Sequence, residues 1–88
     1  MFETLEIKDV KIEMGQLIKE LRKNQKLSQS DLADSIGASR TTIQNLELGK
    51  NFTIDTFLKV LSELDAMEHF NRHIVKSKNQ FKNIKSLY

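Results

Sequence analysis

Four polar side chains within six residues, Arg40, Thr41, Gln44 and Asn45, carry the functional groups that read base edges in DNA. With Arg40 set to zero on a wheel of about 100° per residue, Gln44 falls at about 40°, Thr41 at about 100° and Asn45 at about 140°. Leu48 falls at about 80°, while Ile43 and Leu46 fall at about 300° and 240°, on the opposite side. A helix here would have an apolar side and a polar side free of acids. An Arg fork pairs with guanine O6 and N7, Gln or Asn pairs with adenine N6 and N7, and a Thr methyl meets the thymine methyl. The chemistry is major-groove readout. Every surface helix needs a polar face, however, so these residues define a function only through the elements that position them.

Pro is absent and Gly occurs only at 15, 37 and 49, so helix ends are read from glycines, capping residues and apolar period together. Met14, Leu17, Ile18 and Leu21 form an amphipathic stripe and predict a helix near residues 10–24. Ser28 with Asp31 three residues later forms a capping-box pair and starts a short second helix, with Leu32, Ala33 and Ile36 inward, that stops at Gly37. Ser39 caps a third helix, Arg40 to Leu48, ended by Gly49. Thr53 caps a fourth, reaching about residue 64, with Phe57, Leu58, Leu61 and Leu64 buried. A fifth, from Ala66 to about Val75, would bury Met67, Phe70 and Ile74. Leu5, Ile7, Val10 and Ile12 permit a short strand or a backward extension of the first helix, which leaves residues 1–9 open. A short helix, a Gly-containing turn and a second helix with a polar outer side make the helix-turn-helix arrangement, whose second helix enters the groove.

The runs Gly15-Gln16-Leu17-Ile18-Lys19-Glu20-Leu21-Arg22, Leu27-Ser28-Gln29-Ser30-Asp31-Leu32-Ala33 and Ile36-Gly37-Ala38-Ser39, followed by Ile43, Leu46, Glu47, Gly49 and Lys50, resemble the phage-repressor-like helix-turn-helix family of Cro and lambda-type repressors, often called XRE. The likeness covers Met14 to Phe70. It implies an all-α, five-helix bundle of the lambda-repressor-like DNA-binding type with short extensions at both ends: residues 1–9, a domain over 10–75 and a basic tail over 76–88. It further implies base contacts by Arg40, Thr41 and Asn45, with Gln44 beside them. Gln29 matches a residue that binds a phosphate and braces the recognition helix, and Ser28, Thr42, Lys50 and Asn51 match phosphate contacts. Helix N-termini and adjoining amides suit that chemistry. Arg22 and Glu47 match a partly buried ion pair of architectural role. Leu48 departs from the pattern, which often has a polar residue there. The stretch from Phe52 to Leu61, with Leu64-Asp65-Ala66-Met67, is similar to small antitoxins of HipB type.

With 88 residues and a net charge of +2, the chain is one small domain rather than a multidomain enzyme. Such a domain buries only about 60% of its unfolded surface, and without cysteine it has no disulfide or thiolate–zinc reinforcement, so a partner or a second copy is expected. Charge is uneven: residues 1–13 are net −2, residues 14–68 net −1, and residues 69–88, with Arg72, Lys76, Lys78, Lys82, Lys85 and no acid, net +5. No apolar run approaches the roughly 18 residues that span a bilayer, and no basic secretory start is present, which leads to the expectation of a cytoplasmic protein. Asp65, His69 and His73 follow one another at +4, too little on its own for a metal shell. No Ser/His/Asp grouping or phosphate-cradling glycine loop occurs; no cofactor, metal or catalysis is expected.

The expected function is a sequence-specific regulator of double-stranded DNA, a repressor on a palindromic operator. One recognition helix spans few base pairs, so two copies one turn apart, about 34 Å, are needed, and the resemblance places the homodimer contact on the fourth and fifth helices, with Met67 and Phe70. The alternative is an antitoxin that holds a protein toxin and autoregulates its operon, favoured by Phe81, Ile84, Leu87 and Tyr88 in the tail, a segment open to either a docking helix or a disordered arm. Binding of RNA or DNA without sequence preference by that arm is a third.

Overall fold

The computed structural model describes residues 4–86, with side chains described through Asn83. It consists of α1 (Ile7–Asn24), α2 (Gln29–Ile36), α3 (Arg40–Glu47), α4 (Ile54–Glu63) and α5 (Met67–Ser86), with no strand among the described residues. The all-α bundle of five helices is the expected one. Ile18 of α1, Leu32 and Ala33 of α2, Ile43 and Leu46 of α3, and Phe57, Val60, Leu61 and Leu64 at α4 make one buried core. Phe70 closes it edge-on to Phe57 at 5.5 Å between ring centroids, and Phe52 tilts against the same ring at 6.1 Å.

Local chemistry sets the ends. Ser28 accepts the N–H of Asp31 at 2.9 Å and Asp31 accepts the N–H of Ser28 at 3.0 Å, so both halves of the capping box form. Ser39 and Thr53 each accept an N–H three residues on, from Thr42 and Thr56, at 3.1 Å. After α3, Gly49 adopts φ +74 while Lys50 N–H bonds to the Asn45 carbonyl at 2.8 Å and Gly49 N–H to that of Leu46 at 3.0 Å, a Schellman ending.

The Ser28 backbone N–H, then its hydroxyl, holds the Asp31 carboxyl below its ordinary range, with desolvation opposing. A folded-state pKa below the unfolded one gives stability that is present above the unfolded value of about 3.9 and lost as pH falls through the folded value. Asp31→Asn should therefore melt below the parent protein at about pH 6, with the gap closing as pH falls below the unfolded value of about 3.9 and through the folded one. Thermal melts across that range check it; a pH-independent gap contradicts it.

Three expectations need correction. First, α1 starts at Ile7, three residues before the expected residue 10, because Asp9 accepts the N–H of Glu6 at 2.9 Å and caps the earlier turn; the strand alternative at Leu5 to Ile12 does not form. Second, α5 runs on to Ser86 instead of ending near Val75, since residues 67–86 contain neither Gly nor Pro to stop it. Third, Met67 and Ile74 are exposed rather than buried: Met67 is open in the first turn of α5, and Ile74 follows the point after Phe70 where the helix leaves the bundle, every residue from 71 to 83 being exposed. Leu17 also lies nearer solvent than its stripe implied. The boundaries at 9/10 and 75/76 thus fall inside helices. Met1 to Glu3, Leu87 and Tyr88 lie outside the described residues, as does the side chain of Ile84. No described helix is long and apolar enough to cross a membrane.

Candidate nucleic-acid interface

Two glycines let α3 sit against α1 at backbone distance. A Cβ on Gly15 would overlap the carbonyl oxygen of Leu46 and lie 2.7 Å from that of Glu47, so the helices approach closer than any side chain allows. A Cβ on Gly49 would lie 2.9 Å from the Ile12 N and Cα atoms. Sequence reasoning placed Gly15 only within a motif; its sign was a glycine inside an apolar helical pattern, which marks close packing.

Glu47, at the end of α3, points inward. Arg22 of α1 reaches it through Nε to Oε2 at 2.6 Å and Nη2 to Oε1 at 3.1 Å, and Arg22 Nη1 donates to the Leu27 carbonyl at 2.8 Å. The side chains are 11% and 3% exposed. The hydrogen bonds it donates to Glu47 hold the guanidinium above its ordinary pKa, burial opposing and charge attraction adding to them. Gln29 of α2 donates from Nε2 to Oε1 at 3.0 Å, so one carboxylate ties three helices together. Gln29 therefore braces α3 directly; its Nε2 carries two hydrogens and Glu47 takes one.

With Glu47 inside, the outer side of α3 carries no acid. Arg40 and Thr41 are exposed, and Gln44 and Asn45 are half-buried on the same side. Leu48 is 60% exposed at the end of that face. Gln44, Asn45 and Leu48 line a concavity of about 380 Å³ with Lys19, Gln29 and the ion-paired Glu47. Lys19, from the outer side of α1, adds a positive charge at its edge that the sequence reading did not single out. Ser28 is exposed at the α2 cap; Thr42 is half-buried, its hydroxyl 2.9 Å from that of Ser39. Lys50 and Asn51 are exposed in the loop after α3, Asn51 at φ +33.

The remaining candidates separate. Phe70 is a core-edge residue against Phe57, and Met67 is open beside it. His69 and His73 stack edge-to-face on α5 at 4.8 Å, but Asp65 sits at φ +58 in the turn before the helix. Among the described residues, no group of three His, Cys, Asp or Glu side chains could hold a metal ion.

A braced short helix preceding a second one, whose acid-free side faces outward, defines a helix-turn-helix module of the DNA-binding type. The chain belongs to the XRE-type helix-turn-helix family: the family model described as Helix-turn-helix matches residues 18–66, more than half of its length. It is also 33% identical over 67 residues to a protein of Methanospirillum hungatei provisionally named an HTH-type transcriptional regulatory protein. That match covers 76% of this chain but 22% of the relative, so the chain spans about a fifth of the longer protein.

Proposed function

We propose that the chain is a sequence-specific transcriptional regulator, a repressor that binds a two-fold symmetric operator as a homodimer in the cytoplasm. One observation carries this: α3 turns its only acid inward onto Arg22 and presents Arg40, Thr41, Gln44 and Asn45 outward. A surface so arranged approaches a polyanion without local repulsion and offers donors suited to base edges. In this reading Arg40, Thr41, Gln44 and Asn45 contact bases. Ser28, Gln29, Thr42, Lys50 and Asn51 contact phosphates, the second Gln29 amide hydrogen being available for that role. Leu48 meets a thymine methyl at the end of the face. The dimer contact involves α5 near Met67 and Phe70. The antitoxin reading rests on the exposed Ile74, Val75 and Phe81 of α5, a surface a protein toxin could cover.

Selection from random duplex tests the regulator. The parent protein should recover a palindrome. Arg40→Ala should relax base preference at one position of each half-site by about 1–3 kcal/mol, whereas Lys50→Ala should weaken all duplexes alike and reduce the salt slope by about one. Equal affinity of the parent protein for selected and random duplex overturns the proposal. Co-purification of a kinase-like protein with the chain would favour the antitoxin reading.

A further inference from the structure

The positive charge of this chain is confined to one element. Residues 1–68, which contain α3, carry nine basic and twelve acidic side chains, a net of −3, whereas residues 69–88 carry five basic side chains and no acid. From residue 71 to 83 α5 is exposed on every side. With Phe70, which packs on the core, set to zero on the wheel, Lys78, Lys82, Arg72 and Lys76 fall at about 80°, 120°, 200° and 240°. The four cations share one sector of about 160° turned away from the core, with Asn71, Val75 and Asn79 among them. Ile74 and Phe81 stay on the Phe70 side, at about 40° and 20°. Arg72 is bridged to Glu68, one turn earlier, at 3.7 Å, with both side chains open to solvent. Among the described residues, Lys76, Lys78 and Lys82 make no ion pair.

We propose that this outer side of α5 is a second nucleic-acid contact, which holds phosphates of duplex DNA without reading sequence. The choice of DNA rests on the regulator reading above, and the contact adds to the α3 face. A body of net −3 is repelled by a polyanion at long range, so the attraction that brings the chain to a duplex comes from α5. On α1, Lys19 lines the α3 concavity, while Leu17 and Leu21, each about 160° from it, line the hollow against His69, Phe70 and His73. The base of α5 therefore lies across α1 from the recognition face and does not compete with it. Between residues 72 and 82 the helix rises about 15 Å, the axial length of about four phosphates on one strand. An anionic membrane is the rival surface, but a helix lying in that interface sets a broad apolar face against its basic one. From residue 71 to 83 the large apolar side chains are Ile74, Val75 and Phe81, and Val75 sits among the cations. That face is too thin.

The test measures the affinity of the full chain for selected and random duplex across a range of salt, beside a variant carrying Arg72→Gln, Lys76→Gln, Lys78→Gln and Lys82→Gln. All four side chains are exposed and Gln forms helix as readily, so the variant should melt with the parent. It should bind both duplexes at least about tenfold more weakly at low salt, with a salt slope flatter by about three to four per bound copy. The ratio between the two duplexes should stay. Lys78→Gln with Lys82→Gln alone should give about half of that change in slope, and Lys→Arg at 76, 78 and 82 should keep the parent's affinity and slope. Parent affinity and slope in the fourfold variant would overturn the proposal, and so would a loss confined to the selected duplex. Binding of the parent to phosphatidylserine–phosphatidylcholine vesicles at a salt concentration where random duplex is released would overturn it in favour of a membrane. A parent without base preference, whose hold on random duplex still falls in the variant, would sink the regulator and leave this contact standing.

Discussion

Glu47→Ala should lower the unfolding free energy by about 3–5 kcal/mol, the penalty for stranding a buried ion. Small domains have about 5–15 kcal/mol in total, so the variant should be near the limit of folding. Arg22 would keep only the Leu27 carbonyl for a guanidinium that is 11% exposed, and Gln29 would lose its acceptor. The double variant Arg22→Met with Glu47→Leu should recover most of the loss, since it removes both charges instead of exposing one. Urea denaturation of the two variants and the parent measures this. A single variant as stable as the parent would show that the pair does not hold α3 in place.

Gly15→Ala should cost about 1–3 kcal/mol or more, against a helix-propensity gain of about 1 kcal/mol that the same change brings at an exposed position. The added methyl meets the carbonyls of Leu46 and Glu47, which are backbone and cannot rotate away. The helices α1 and α3 must separate, which also moves Arg40, Thr41 and Asn45 relative to the rest of the domain. Loss of DNA affinity should therefore exceed what the melting temperature alone explains. A variant that melts above the parent and binds DNA as well would contradict the close approach.

The three middle helices were legible because their ends carried local signals: Ser28 with Asp31, Ser39 and Thr53 as caps, and Gly37 and Gly49 as stops. The two ends were not. Asp9 capping Glu6 is a weak cue in a segment where period two and period 3.6 both fit, and α5 lacks any terminator, so its length is set by residues that simply do not break a helix. For the candidate site, the wheel around Arg40 placed the outer and inner sides of α3 correctly, and the family likeness paired Arg22 with Glu47. What periodicity could not supply was depth. Gln44 and Asn45 are half-buried in a concavity, Leu17 and Ile74 are open, and Gly15 sits at a backbone crossing, all consequences of how helices pack against one another.

The division within α3 has a further consequence. Ile43, Leu46 and Glu47 secure the helix, and Arg40, Thr41, Gln44 and Asn45 contribute nothing to the buried core. In the proposed reading, stability and sequence preference are encoded by separate letters of one eight-residue word. On that reading, rewriting the outward letters should change the operator while the inward ones keep the scaffold unchanged, so that targets diverge between gene copies without passing through an unfolded intermediate.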